Sequence, residues 1–321
     1  MNAVCCAKAR ILTHNHGMRS ILIVGCGDVA LRAIPLLKRG YRVFALVRNA
    51  ASCARLRALG VVPILGDLDD RASLARIAGL ADAVLHFAPP SSTPPLTRGG
   101  WEGLGGQGGF VFRDTRTRNL LSTLSQGKLP KRLVYISTSG VYGDCAGAWV
   151  SETHPLKATS PRAQRRVDAE KQIRSWAKHN GVHASILRVP GIYADDRLPL
   201  DRLRAGTPAI MQAEDSYTNH IHADDLAIIS VAALRYGKPC RVYHASDDSQ
   251  LKMGEYFDLV ADAYNLPRVP RISRAEAQQV LPEMLLSFMN ESRRLTNVRM
   301  KRELKVKLRY SGPGNMLRKI R

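Results

Sequence analysis

The chain has 321 residues, 45% hydrophobic and 23% charged, enough to bury the core of one large domain or of a large and a small one. Asp28 and Arg32 interrupt its most apolar run, so no stretch of about 18 apolar residues exists and a membrane-spanning helix is excluded. Lys and Arg number 48 against 27 acids, a formal charge of +21; it is spread along the sequence without interleaved aromatics, which favours a solvated basic surface and an anionic cofactor or substrate over a specific nucleic acid.

Residues 1–17 carry neither the apolar centre of a signal peptide nor an amphipathic period, and read as a disordered extension or as sequence ahead of a start at Met18. Residues 20–24 are an apolar run closed by a glycine turn, the pattern of a central strand buried on both faces. Val29, Ala30, Ala33, Leu36 and Leu37 then recur at helical spacing up to Gly40, and Pro35 should bend or shorten that helix. Strands over 42–47, 61–65 and 83–87 alternate with helices over 51–59 and 71–78, which predicts a parallel sheet covered by helices. Residues 89–109 break the rhythm with proline and glycine pairs and read as a mobile loop in the place of a lid. The alternation resumes with a helix over 113–126, a strand over 132–136, a long helix over 161–179 and a strand over 183–187. Beyond Pro190 the elements shorten, and a small lobe is expected from pieces near 195–217 and 250–310.

In that setting Gly25-Cys26-Gly27-Asp28-Val29-Ala30 closes the first strand and opens the first helix. Gly25 permits the tight turn, Gly27 lets the backbone approach a diphosphate, Ala30 keeps helix and strand close, and the helix N-terminus, from Val29, faces the anion. Asp28 is unusual beside a diphosphate; its carboxylate is expected to stabilise the helix start while pointing away. The fold class is therefore α/β: a Rossmann doubly wound parallel sheet over 18–190 that binds a nicotinamide dinucleotide, and a smaller substrate-capping lobe over 191–321 that returns strands to the sheet. Arg48 stands at the end of the second strand, where an acid would accept from the ribose of NAD. Arg48 can instead pair with a 2′-phosphate, so NADP is expected and NAD is the alternative.

Further motifs follow in order: Gly66-Asp67-Leu68, His86-Phe87-Ala88-Pro89-Pro90, the run from Tyr135 through Ser137-Thr138-Ser139 to Val141-Tyr142-Gly143, the run from Leu187 through Pro190-Gly191-Ile192 to Tyr193, and His220-Ile221-His222-Ala223-Asp224-Asp225-Leu226. From about Met18 to Tyr310 the chain resembles an extended or atypical short-chain dehydrogenase/reductase of the NAD-dependent epimerase/dehydratase type. That resemblance implies that Asp67 and Leu68 border the adenine, Ala88 and Pro89 the nicotinamide-side ribose, and Pro190, Gly191 and Ile192 the nicotinamide. It also implies a Ser or Thr after the fifth strand, matched by Thr138, and a Tyr-x-x-x-Lys on the next helix in which the phenol moves the proton.

The last pattern is missing: none of the ten tyrosines is followed four residues later by Lys. Anchored on Ala169-Glu170, which resembles the end of the family motif, Arg162 stands at the Tyr position and Arg166 at the Lys position. A guanidinium keeps its proton at working pH, so Arg162 cannot act as acid and base, while Arg166 can still bond the ribose. Two forks one helical turn apart suit a phosphate or carboxylate, or are a solvated face. Two functions follow. One is an NADP-dependent oxidoreductase or epimerase/dehydratase-like enzyme on a small, anionic molecule, with Thr138 and Tyr142 as catalytic candidates and Ser139 and Arg162 binding substrate. The other is an NADP(H) sensor without turnover.

The six cysteines form no Cys-x-x-Cys pair, which argues against disulfides or zinc and points to a reducing, cytoplasmic compartment. His220 and His222 beside Asp224 and Asp225 suggest a metal, but the cluster lacks a third ligand of its own and reads as a structural turn, so no metal is expected. A monomer or homodimer is the expectation from the family.

Overall fold

A computed structural model of the protein describes residues 19–91 and 112–318. The expected N-terminal extension and most of the expected loop over 89–109 lie outside the described residues. In chain order the first half contains β1 (Arg19–Val24), α1 (Asp28–Leu37), β2 (Tyr41–Val47), α2 (Ala51–Ala58), β3 (Val62–Leu65), β4 (Ala83–His86), α3 (Thr115–Leu124), β5 (Arg132–Thr138), β6 (Trp149–Val150), α4 (Pro161–Asn180) and β7 (His183–Val189). Then come β8 (Gly191–Tyr193), α5 (Leu200–Arg204), β9 (Ala209–Ile210), β10 (His220–His222), α6 (Ala223–Tyr236), β11 (Arg241–His244), α7 (Met253–Ala263), β12 (Arg271–Ile272), α8 (Arg274–Val280), α9 (Glu283–Met289), β13 (Arg294–Leu295), α10 (Val298–Leu304) and α11 (Pro313–Leu317).

Seven parallel strands form the central sheet in the order β11-β7-β5-β4-β1-β2-β3. The apolar runs explain this order: Ile21 to Val24 of β1 and all four residues of β4 are buried, as strands covered on both faces must be. One face is packed by α1 and α6, with Ala30, Ala33, Ile34 and Leu37 against Leu226, Ile229 and Ala233. The other face is packed by α3 and α4, with Leu120, Leu121 and Leu124 beside Ile173 and Ala177. Strand order reverses between β1 and β4, and the carboxyl ends of those two strands open a crevice of the kind that binds ligands in such sheets.

Local chemistry accounts for the differences from the sequence pattern. Residues 71–77 form a 3-10 helix rather than an α-helix; its buried Leu74 and Ile77 are three apart, the period at which 3-10 side chains eclipse. Pro35 does not break α1, because it lies on the exposed side, where the carbonyl it leaves unbonded can face water. Strand β5 continues past Ile136 to Thr138, paired there with Val189 of β7. Beyond Pro190, β11 joins the central sheet beside β7, and α6 covers α1. The remaining small pairs, β8–β10, β9–β12 and β6–β13, build the lobe over the carboxyl end of the sheet. Among the described residues no helix is long and apolar enough to cross a membrane.

Candidate active site

Gly25 holds the turn after β1 at φ 88°, and a Cβ there would lie 2.5 Å from the backbone nitrogen of Ala88. The β1 and β4 ends meet at this point, where the Val24 carbonyl accepts from the backbone N–H of Phe87 (2.8 Å) and of Ala88 (3.0 Å). Gly27 differs: its φ of −84° is ordinary, and a Cβ on it would meet nothing within 4 Å, so its missing side chain leaves open space over the start of α1. No side chain caps that helix, and its first N–H groups are left for a ligand. Ala30 is buried against the sheet.

These residues open onto a cavity of about 530 Å³ lined by the whole loop from Val24 to Ala30, by Arg48, Asn49 and Ser52, by Asp67 and Leu68, and by Ala88, Pro89 and Ile192. The cradle fits a dinucleotide: an uncapped helix start with a bare glycine at one end, an apolar slot between Leu46 and Leu68, and an exposed guanidinium, Arg48, at the tip of β2. Asp67 lines the cavity, while its Oδ1 accepts from the Asp69 N–H at 3.0 Å, so part of its carboxylate serves the turn. The Asp28 carboxylate is held by Arg32 at 3.0 Å and Arg197 at 3.3 Å, and Arg32 reaches on to Asp224 at 2.7 Å. Its charge is thereby neutralised by arginines that tie α1 to the second half of the chain. Arg116 and Arg197 also line this cavity, and sequence reasoning missed both. Arg116 is fixed by a bidentate pair with Asp69, 47 residues away, for which no local pattern exists.

A second cavity of about 490 Å³ adjoins the first at Pro89. Thr138, Ser139, Arg162 and Arg166 all line it, together with Pro190 and Gly191, so most of the candidate substrate and catalytic residues come together. Arg166 is not part of a solvated face: its Nη1 donates to the Tyr135 hydroxyl at 3.1 Å and to the Ile136 carbonyl, which seats α4 on β5. Arg162 is exposed at the cavity, its guanidinium 3.7 Å from the ring centre of Phe288. The Thr138 Oγ1 accepts from the Gly140 N–H at 3.2 Å, the strand-end role, while the residue stays on the cavity wall. Arg165, Glu291, Phe288 and Arg293 also line it, as do Tyr217 to Asn219 and Met253, and all were missed; Glu291, Phe288 and Arg293 come from a segment more than 100 residues further along the chain than α4.

Tyr142 departs from expectation. It is fully buried and lines neither cavity. Arg188 donates to its oxygen at 2.7 Å, and the same oxygen lies 2.6 Å from Nε2 of His244. Burial pushes its pKa up to about 12. A phenol held between two partners away from the open space positions its neighbours rather than a substrate proton. Of the paired histidines, His222 accepts at Nδ1 from the Asp224 N–H at 3.1 Å and caps α6; among the described residues there is no group of three or more possible metal ligands.

The model of the NAD dependent epimerase/dehydratase family matches residues 32–245. A dTDP-D-glucose 4,6-dehydratase of Homo sapiens is 21% identical over 272 residues, 79% of this chain and 76% of the human protein. A dTDP-glucose 4,6-dehydratase of Mycolicibacterium smegmatis is 25% identical over 228 residues, 65% of this chain and 66% of that protein. Among solved structures, a functionally unknown conserved protein of Silicibacter pomeroyi superposes with a TM-score of 0.72 at 27% identity, covering 94% of this chain and 98% of the other. A dTDP-glucose 4,6-dehydratase of Streptomyces venezuelae with NAD bound has the same fold, with a TM-score of 0.71 at 20% identity over 93% of this chain and 96% of its own.

Proposed function

The chain belongs to the NAD dependent epimerase/dehydratase family, and we propose that it is an epimerase/dehydratase-like enzyme that uses NADP(H) and acts on a small molecule held in the cavity of Thr138. The observation that carries this reading is the junction of two cavities at Pro89, with the glycine loop on one side and Thr138, Ser139, Arg162 and Arg166 on the other. Gly25, Gly27, Val29 and Ala30 with the start of α1 would hold the diphosphate, Arg48 the 2′-phosphate, Asp67 and Leu68 the adenine side. Ala88, Pro89, Pro190, Gly191 and Ile192 would border the nicotinamide end. Bound there, the nicotinamide supplies a hydride donor or acceptor.

The protein's own part is to orient and to exclude water. Thr138 offers a hydroxyl to the reacting oxygen: the Gly140 N–H engages one of its two lone pairs and orients the group, and its O–H can donate. Arg166, locked to the Ile136 carbonyl and Tyr135, keeps a fixed positive charge on the wall of the same cavity. It stabilises negative charge developing on an oxygen without moving a proton. Arg162 likewise binds and does not shuttle.

The cofactor reading is tested by fluorescence titration. NADPH is expected to bind more tightly than NADH, and Arg48→Ala to weaken NADPH about tenfold while leaving NADH within about twofold. Clearly tighter NADH binding overturns the preference. A screen of carbonyls and of nucleotide sugars, the latter because dehydratases of dTDP-glucose are among the relatives, then tests turnover. Tight NADPH binding with no turnover on either class would favour a sensor over an enzyme.

A further inference from the structure

Four guanidinium groups, Arg162, Arg165, Arg166 and Arg293, line the second cavity, and Glu291 is the one carboxylate among its described lining residues. Two of the four are nine-tenths buried: Arg165 and Arg293 are each 8% exposed. Arg293 donates from Nη1 to the Gly143 carbonyl (2.6 Å) and from Nη2 to Glu291 (2.8 Å), yet its buried Nε has no partner. Buried positive charge in such excess is costly unless an anion compensates it.

The excess is concentrated at one place. Arg162 lies within electrostatic reach of both Glu291 and Arg293. The Glu291 carboxylate and the Thr138 hydroxyl converge, at 3.8 and 3.5 Å, on the point where a side chain on Gly140 would begin. A protein carboxylate thus already sits on an arginine at the Thr138 end of the cavity, which marks the chemistry that the arginines accept.

We propose that this cavity is an oxyanion site: a carboxylate or phosphate of the ligand binds to Arg162 and Arg293 beside Thr138, in competition with Glu291. The proposal rests on the reading of this cavity as the substrate side of a dinucleotide enzyme, and deepens it by naming the charged group of the substrate and placing it at the reacting end. By the resemblance anchored on Ala169-Glu170, Arg162 stands where the family carries its phenol, so on this reading the chain exchanges a proton carrier for an anion receptor at that point.

Calorimetric titration of the full chain, saturated with NADPH so that the glycine loop is filled, tests this with inorganic phosphate, pyrophosphate and oxalate as probes. At least one probe is expected to bind, and oxalate alone or the phosphates alone would tell a carboxylate ligand from a phosphoryl one. Arg162→Gln should weaken that binding about tenfold, as expected for loss of a charge-assisted contact. Glu291→Gln should tighten it severalfold, because it removes the competing negative charge and retains an amide to bond Arg293. Opposite signs from two substitutions in one cavity cannot arise from structural damage. Absence of binding by all three probes, or unchanged or weaker binding in Glu291→Gln, overturns the proposal. A chain that fails to bind NADPH overturns the cofactor reading alone; the same titration without NADPH then decides the oxyanion site, since an anion on the glycine loop is indifferent to both substitutions.

Discussion

Arg188 can only donate hydrogen bonds, and this fixes the direction of every proton around it. Its fork makes a bidentate pair with Glu170, at 3.0 and 2.7 Å, which in turn accepts from the Ser137 hydroxyl at 2.6 Å. Its Nη1 donates to Tyr142, so the Tyr142 proton goes to Nε2 of His244, and Nδ1 of His244 donates to the Thr296 carbonyl at 2.9 Å. The network lies directly behind the strand end that carries Thr138, and every member is satisfied from within the protein. Tyr142→Phe should therefore cost about 1–3 kcal/mol of stability in urea unfolding, since it leaves buried Nε2 without a donor, while NADPH affinity stays within twofold; a loss of affinity with unchanged stability would place Tyr142 in the site after all. His244 also carries a pH signature. Burial lowers its folded pKa to about 3, below the unfolded value of about 6.5. The unfolded chain thus binds a proton that the native chain refuses, so the contribution is full above pH 6.5 and is lost as the pH falls toward 3. The stability advantage of the native protein over His244→Gln should shrink by about 1.4 kcal/mol per pH unit between pH 6 and 4. An advantage that is flat over that range would mean that the imidazole is not held neutral.

The strand-turn-helix unit of β1 and α1 separates two uses of glycine that the sequence writes with the same letter. Gly25 serves the fold: with φ 88° and the Ala88 nitrogen 2.5 Å from any added Cβ, Gly25→Ala should destabilise the whole protein by about 1–3 kcal/mol or more. Gly27 serves the ligand: Gly27→Ala should unfold at the same urea concentration as the native chain and yet lose NADPH affinity at least about tenfold, because the methyl enters only the open cavity. If Gly27→Ala binds NADPH as the native chain does, the diphosphate does not lie there. The unit itself was legible in sequence, since the apolar run, the glycine spacing and the helical period agree and all are local. So was the spacing of Arg162 and Arg166 on one face of α4. What was not legible depends on contacts across the chain. Glu291 and Arg293 reach the cavity because β13 pairs with β6, and Asn219 bonds the Arg293 carbonyl at 2.9 Å and the Leu295 N–H at 2.8 Å. Tyr142 sits in a motif beside the site, but its hydroxyl is turned away by partners at 188 and 244. Periodicity likewise could not tell an α-helix from the 3-10 helix over 71–77, because i and i+3 face the same way in both.

At the scale of the molecule, residues beyond Pro190 build part of the central sheet and of its cover as well as the small lobe. The central sheet needs β11, which covers the edge of β7 from Arg241↔Ser185 to His244↔Arg188. The α1 face needs α6, whose Leu226, Ile229 and Ala233 close the same core as Ile34 and Leu37. Arg32 is bound at one end to Asp28 and at the other to Asp224 and Asp196, joining the glycine loop to residues nearly 200 positions away. The His244 side chain, on β11, completes the hydrogen bonds of Tyr142 behind the site. A chain ended after Pro190 would therefore expose the β7 edge as an unpaired template and strip one face of the sheet of its apolar cover, two features that drive aggregation. Such a chain, residues 19–190, should lack a cooperative urea transition and bind no NADPH, although it keeps the glycine loop, Arg48 and Asp67. In the full chain a single transition is expected, raised by NADPH by about 2.7 kcal/mol at a hundred times its Kd, because the ligand seats on a core that both halves build. A truncated chain that unfolds cooperatively and binds NADPH with native affinity would show that the C-terminal half is an addition to a finished domain, and the single-core account of this fold would be wrong.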